Sequence, residues 1–230
     1  GQGAVIMAGG LGTRLLPLTE TTPKPLLPVA GQPILDHVLA GLGASGLEDV
    51  VLSVNYKAEQ IREHVGDGEK HRLNVAYLSE RSRLGTAGAL SLLRPRPRKA
   101  FLVMNGDLLT DVNYARLLAF QREGGYRIVM AVKRHTVSIP YGVAELRGSE
   151  VVSIREKPEH EFFINAGIYV VEPSCLDLIP RGRCFDMPEL VDRVIRGGGS
   201  VGAFPIFEYW RDIGTPADLA AASEEHERLT

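Results

Sequence analysis

Residues 3–14 read Gly-Ala-Val-Ile-Met-Ala-Gly-Gly-Leu-Gly-Thr-Arg. Gly3–Ala8 is a continuous apolar run without polar alternation, the pattern of a strand covered on both faces. Gly9 and Gly10 end it, and with Gly12 they let backbone amides approach a ligand closely, as where polyphosphates are cradled. Arg14 and Lys24 put two cations on the same segment, and Pro23 and Pro25 pin Lys24 from both sides. Arginine grips phosphate oxygens through two donors, whereas lysine acts as a point charge. Two common phosphate motifs are excluded by spacing. Leu15 stands where the third glycine of G-x-G-x-x-G belongs, and no G-x-x-x-x-G-K-[ST] occurs.

Outward from this stretch, Gly9–Gly31 carries Pro17, Pro23, Pro25 and Pro28 and has neither helical nor strand period. A structureless segment of that length in a compact protein is usually functional. Beyond it the pattern predicts helix Pro33–Leu42, strand Asp49–Val54, helix Ala58–Val65, strand Leu73–Leu78, helix Thr86–Leu93, strand Ala100–Asn105 and helix Asn113–Arg122. Repeated β-α units imply an α/β fold: a Rossmann-like open, mostly parallel sheet with helices on both faces. After Gly125 the texture changes. Tyr126–Lys133, Tyr141–Leu146, Val151–Glu156 and Phe162–Val171 are strand-like, which predicts an antiparallel portion, and helices Met187–Arg196 and Pro216–Glu225 flank Ser200–Asp212. No repeat or linker divides the chain, so residues 1–230 are expected to form a single domain.

Composition narrows the function. The 230 residues carry 26 Lys+Arg against 28 Asp+Glu and are 44% hydrophobic, ordinary globular usage that rules out a disordered chain. A chain this long buries roughly 70% of its unfolded surface and needs no staples. The near-neutral balance argues against a nucleic-acid partner, and no stretch approaches the ~20 apolar residues of a membrane helix. Cys175 and Cys184 form no CxxC and read as reduced packing residues of a cytoplasmic protein. The six histidines show no metal-ligand spacing. Arg94-Pro95-Arg96-Pro97-Arg98-Lys99, without interleaved aromatics, reads as an exposed connection. Tyr209 and Trp210 read as core aromatics.

Further short motifs follow the glycine segment: Leu84-Gly85-Thr86-Ala87-Gly88-Ala89-Leu90, Asn105-Gly106-Asp107, Tyr141-Gly142-Val143, Glu156-Lys157-Pro158, Asn165-Ala166-Gly167-Ile168-Tyr169 and Trp210-Arg211-Asp212-Ile213-Gly214-Thr215. Each alone is weak, but their order is specific. Together with Gly9–Leu15 and Pro23-Lys24-Pro25 they resemble the sugar-1-phosphate nucleotidylyltransferases over nearly the whole chain. In that reaction an oxygen of a sugar 1-phosphate attacks the α-phosphorus of a nucleoside triphosphate and pyrophosphate leaves. The nucleophile is already ionised, since a phosphate's second pKa is about 6, so no general base is required. Charge relief and positioning are required instead, which Mg²⁺ on two carboxylates, with arginine and lysine, supplies.

The resemblance implies catalytic roles for Arg14, Lys24, Asp107, Lys157 and Asp212, with Asp107 and Asp212 as Mg²⁺ ligands. It implies a nucleotide site of Ala8, Gly9, Gly10, Gly12, Thr13, Glu80, Gly85 and Thr86. The antiparallel portion becomes the sugar half, with Tyr141, Gly142, Glu156, Asn165 and Gly167 lining the sugar pocket and Lys157 holding the sugar phosphate. Glu80 stands where thymidylyltransferases have a glutamine. A carboxylate only accepts hydrogen bonds and guanine offers adjacent N1–H and N2–H₂ donors, so GTP is expected. The LGTAG stretch is similar to that of guanylyltransferases making GDP-mannose and related GDP-hexoses, and the resemblance points first to the group acting on glucosamine 1-phosphate, with a mannose 1-phosphate enzyme as the near rival. The alternatives are a UTP- or dTTP-using member, or a regulatory subunit that has lost catalysis. The partners are then a nucleoside triphosphate and a sugar 1-phosphate, with homo-oligomers and an upstream regulatory module compatible with the family.

Overall fold

The computed structural model describes residues 3–80 and 82–227. In chain order the strands are β1 (Gly3–Met7), β2 (Pro28–Val29), β3 (Gln32–Pro33), β4 (Asp49–Val54), β5 (Asn74–Ser79), β6 (Phe101–Asn105), β7 (Leu108–Thr110), β8 (Ile128–Ser138), β9 (Val143–Arg147), β10 (Glu150–Arg155), β11 (Glu159–Val171), β12 (Val201–Ile206) and β13 (Trp210–Asp212). The helices are α1 (Ile34–Ala44), α2 (Ala58–Val65), α3 (Gly85–Gly88), α4 (Tyr114–Gly124), α5 (Met187–Arg196) and α6 (Pro216–Glu227).

A 7-stranded sheet in the order β12-β8-β11-β6-β1-β4-β5 forms the centre. β1 pairs in parallel with both β4 and β6, and β4 with β5, while β11 runs antiparallel to both its neighbours, β6 and β8. The chain steps from β1 to β4 on one side and later reaches β6 on the other, so the strand order reverses beside β1. Open α/β sheets bind ligands at the carboxyl ends of strands at such a reversal. Two apolar clusters cover the sheet. Ile6, Leu52 and Met104 pack with α1 and α4 on one side, and Val5, Val103 and Tyr169 pack with α5 on the other. This explains why β1 and β6 read as unbroken apolar runs.

Several expectations change in detail. Gly9–Gly31 is not structureless: it folds into 3₁₀ turns at Thr13–Leu15, Leu18–Glu20 and Lys24–Leu26, followed by the small β2–β3 pair. The expected helix Thr86–Leu93 is one α turn, Gly85–Gly88, tightening into a 3₁₀ turn at Ala89–Leu92. β7 and β13, neither expected, pair antiparallel and set Asp212 opposite Leu108.

The antiparallel portion is one long ribbon. β8 pairs with β11 out to Ser138 opposite Glu159, and Ile139 N donates to Pro158 O at 3.0 Å. Lys157 N then donates to Tyr141 O at 3.2 Å, and β9–β10 continue the pairing to Arg147 opposite Glu150. Only its base, Ile128–Val132 with Ala166–Val171, is buried in the sheet, apart from Met130 at the margin.

Candidate active site

The parallel strands deliver the site from their carboxyl ends. Gly9 and Gly10 follow β1, Asn55 follows β4, Glu80 follows β5, and Gly106-Asp107 follow β6. With Met7, Ala8, Lys24, Pro25, Arg83, Gly85, Thr86, Asn105, Cys184 and Asp186 these residues line a cleft of about 450 Å³. Gly106 N donates to Met7 O at 2.9 Å, locking the two central turns together. A side chain at Gly106 would stand 2.9 Å from that same carbonyl.

The glycine segment closes one wall. Gly12 sits at φ +64, and a Cβ there would meet Thr19 Cγ2 at 2.8 Å, so both backbone and space call for glycine. Thr19 Oγ1 donates to Gly12 O at 2.9 Å and Tyr56 OH donates to Thr19 O at 3.1 Å. Pro23 and Pro25 are buried beside Lys24, which is itself only 7% exposed. Lys24 Nζ donates to Asp107 Oδ2 in a charge-assisted contact. Thr13 and Arg14, on the same segment, are exposed.

The second carboxylate arrives from 105 positions later in the chain, carried by β13. Ile213 N donates to Asp107 O at 3.1 Å, joining the two loops directly. The Asp212 carboxyl is held above its usual range, first by lost hydration and then by the negative charge of Asp107; Lys24 and Arg14 pull the other way. Arg14 also reaches this loop, since a Cβ on Gly214 would lie 3.2 Å from its Nη1. Arg14, Lys24, Asp107 and Asp212 therefore form one electrostatic cluster.

Asp107 Oδ1 is buried and has no hydrogen-bond partner. An unpaired buried carboxylate oxygen beside a second carboxylate is costly by itself. Asp107 lines the cleft and Asp212 stands exposed on the adjoining loop, and two neighbouring carboxylates suit a hard divalent cation that keeps water and phosphate oxygens as its other ligands.

The opposite wall is a clamp on the Leu84–Gly88 turn. Glu80 Oε2 accepts from Leu84 N at 3.1 Å, and its Oε1 accepts from Ser53 Oγ at 2.7 Å. From the far side, Asp186 Oδ1 accepts from Thr86 N at 2.7 Å and from Thr86 Oγ1 at 3.1 Å. Thr86 Oγ1 accepts from Met187 N at 2.9 Å, while Ala87 N and Gly88 N donate to Phe185 O. Asp186 caps α5 in a capping box with Glu189, so a helix end fixes the turn. Gly85, at φ +77, would place a Cβ 2.6 Å from Asp186 Oδ1.

The sugar-side residues are not brought into the cleft. Tyr141, Gly142, Glu156 and Lys157 are exposed on the ribbon, Tyr141 at 73%. Asn165 is also exposed, at the register shift between Asn165 and Tyr169. There its Nδ2 donates to Tyr169 OH and its Oδ1 accepts from Gly167 N at 2.9 Å. Gly167, at φ +70, lies against Asn105 Nδ2, which joins this bulge to the cleft.

Sequence reading missed Asn55, Arg83, Asn105, Cys184 and Asp186 as lining residues. Asn55 and Asn105 were recoverable, since each sits at the carboxyl end of a parallel strand. Asp186 and Cys184 gave no local signal. Cys184 corrects the expectation of a packing residue: Cys175 is buried, but Cys184 is exposed and faces the cleft. Of the two aromatics read as core, Trp210 is partly buried and donates from Nε1 to Ala166 O at 2.9 Å, and Tyr209 is partly buried beside Leu15 and Ile213.

The nucleotidyl transferase family matches residues 3–228. The chain belongs to that family. It is 36% identical to a mannose-1-phosphate guanylyltransferase of Mycobacterium tuberculosis over 96% of this chain and 64% of the relative. It is also 36% identical to a Schizosaccharomyces pombe mannose-1-phosphate guanyltransferase, over 94% of this chain and 61% of that one. The chain thus spans less than two thirds of the length of these curated relatives. Among solved structures, HddC from Yersinia pseudotuberculosis complexed with GMP-PN matches with a TM-score of 0.77 and 26% identity, covering 98% of this chain and 100% of that one. No helix among the described residues of this nucleotidyl transferase is long and apolar enough to cross a membrane.

Proposed function

We propose that this chain is a sugar-1-phosphate guanylyltransferase, converting GTP and a hexose 1-phosphate, with mannose 1-phosphate as first choice, into a GDP-sugar and pyrophosphate. The observation that carries the chemistry is Asp107, with one oxygen bound by Lys24 and the other unpaired, beside the raised carboxyl of Asp212. The names of the relatives support the choice of substrates.

In this reading the backbone amides of Gly9–Gly12 and the guanidinium of Arg14 receive the triphosphate, and Lys24 neutralises charge as pyrophosphate departs. Asp107 and Asp212 would hold Mg²⁺, which would supply positive charge to relieve the repulsion between the two phosphates. Glu80, held by Ser53 and Leu84, keeps free lone pairs for the N1–H and N2–H₂ of guanine, and the Gly85-Thr86 turn covers the base. Lys157 takes the sugar phosphate, and Tyr141, Gly142, Glu156, Asn165 and Gly167 face the sugar. Residues 1–230 act as one catalytic domain, its first half binding nucleotide and its second half sugar phosphate.

The test is pyrophosphate release with GTP, dTTP, UTP, CTP and ATP, each against mannose, glucosamine and glucose 1-phosphates. Turnover confined to GTP with one of the hexose phosphates is expected. A pyrimidine preference would remove the assigned role of Glu80.

A further inference from the structure

The cleft wall that holds the Glu80 carboxylate also carries a cation to which the reaction assigns no task. The nitrogen-bearing side chains of the lining are Lys24, Asn55, Arg83 and Asn105. Three of them are engaged. Lys24 Nζ is on Asp107, Asn55 Nδ2 donates to Glu80 O at 2.7 Å, and Asn105 Nδ2 would stand 2.8 Å from a Cβ on Gly167. Arg83 is exposed and makes no hydrogen bond or ion pair with any of the described residues.

The backbone ties Arg83 to Glu80. Glu80 N donates to Val54 O at 3.1 Å, and with the Asn55 contact this fixes Glu80 to the end of β4. Leu84 N, the amide directly after Arg83, returns to Glu80 Oε2 at 3.1 Å. Across the cleft, a Cβ on Gly9 would lie 3.4 Å from Glu80 Oε1, so the glycine turn faces the same carboxylate. A free guanidinium group is thus anchored one residue away from the acceptor assigned to the base, and the two do not pair.

The edge of guanine asks for both groups. It presents N2–H₂ and N1–H as donors, then O6 as an acceptor, with the N7 acceptor next to it. A carboxylate only accepts, so Glu80 can meet the donors and nothing beyond them. The two acceptors need a donor beside Glu80, and the fork of an arginine spans O6 and N7 together.

We infer that Arg83 is a specificity-determining residue that donates to O6 and N7 of guanine. This rests on the guanylyltransferase reading and completes the base recognition that Glu80 begins. Adenine carries an amino donor where guanine has O6, so ATP is refused at Arg83 as well as at Glu80.

Nucleotide analogues test the contact, because 7-deaza-GTP lacks only the N7 acceptor and ITP lacks only the N2 amino group. KM is measured for both and for GTP, in wild type and in Arg83→Ala. Wild type should show a KM for 7-deaza-GTP about tenfold above that for GTP, the scale of one hydrogen bond from a charged donor. Arg83→Ala should raise the KM for GTP about tenfold or more and bring the 7-deaza-GTP to GTP ratio close to one, with circular dichroism unchanged. The ITP to GTP ratio should stay as in wild type, since that amino group meets Glu80. A 7-deaza-GTP ratio that is the same in both proteins overturns the inference, whether wild type never distinguishes the two or the variant weakens both equally, as loss of a phosphate contact would. A variant in which the ITP ratio also collapses has released Glu80 itself, and that too overturns the assignment. Wild type that turns over no GTP would sink the guanylyltransferase reading and this inference with it, whereas GTP turnover with an unaltered 7-deaza-GTP ratio sinks the role of Arg83 alone.

Discussion

Asp36 and Asp107 are both enclosed carboxylates with a lysine on one oxygen, and they do opposite things. Asp36, on α1, is only 2% exposed and saturated. His64 Nε2 donates to Oδ1 at 2.8 Å, Lys70 Nζ donates to Oδ2 at 3.1 Å, and His71 Nε2 stands 3.2 Å from Oδ1. Asp107 has Lys24 on one oxygen, nothing on the other, and a second carboxylate beside it. A saturated carboxylate holds elements together. A half-satisfied one, facing a cleft, is available to a ligand.

The largest effect that would break this contrast is on turnover. Asp107→Asn is expected to lower Mg²⁺-dependent kcat by about 10²–10³-fold, the scale of losing one charge stabiliser in a transition state. Its melting temperature should stay close to wild type. A mutant that turns over normally but unfolds early would make Asp107 another Asp36.

Asp36→Asn should do the converse, costing about 1–3 kcal/mol because buried hydrogen bonds to charged partners are lost. At about 2–4 °C per kcal/mol the drop is measurable by calorimetry, with kcat per folded molecule retained.

The two sites also differ in sign with pH. Burial alone would push the Asp36 carboxyl up, but hydrogen bonds from His64 and Lys70 outweigh it and hold the group below 3.8. Its contribution to stability is present above that value and lost as pH falls through the lower folded value. The Asp212 carboxyl is raised, so its charged form weakens the native state at neutral pH, and that penalty fades as the group protonates. Mg²⁺ should therefore stabilise the protein more at pH 7 than in acid, an increment that Asp212→Asn removes. Thermal melts with and without Mg²⁺ across pH check this.

The smallest expected effect separates positioning from contact. Asp186→Ala should raise the KM for GTP about tenfold, the equivalent of about 1.4 kcal/mol, with little change in kcat. Asp186→Asn, which keeps an acceptor for Thr86 N, should recover most of it. An equal rise in the KM for the sugar phosphate would mean that the variant had disturbed more than the Leu84–Gly88 turn.

Much of this was legible beforehand, for identifiable reasons. β1 and β6 announced themselves because strands covered on both faces need unbroken apolar runs. Gly9, Gly10 and Lys24, which line the cleft, stood out because close backbone approach and cationic pinning leave marks within a few residues, and Asp107 because it follows the carboxyl end of a strand in a motif of the family it resembles. Asn165 and the ribbon were less legible, since an exposed strand and a packed one can share the same alternation. Asp186 was invisible: a helix cap reads alike whether it serves only its own helix or reaches a turn 100 residues away.

The chain's local pattern alone determined the α/β class and the glycine turn after β1, and nominated groups able to meet phosphate and metal, because backbone geometry and side-chain chemistry are local properties. Tertiary structure alone decided that Asp212 joins Asp107, that Asp186 holds Thr86 and that Tyr141 to Lys157 stand out on a ribbon. Those depend on strand order and on which partner completes each hydrogen bond, and neither is written in the spacing of residues along a chain.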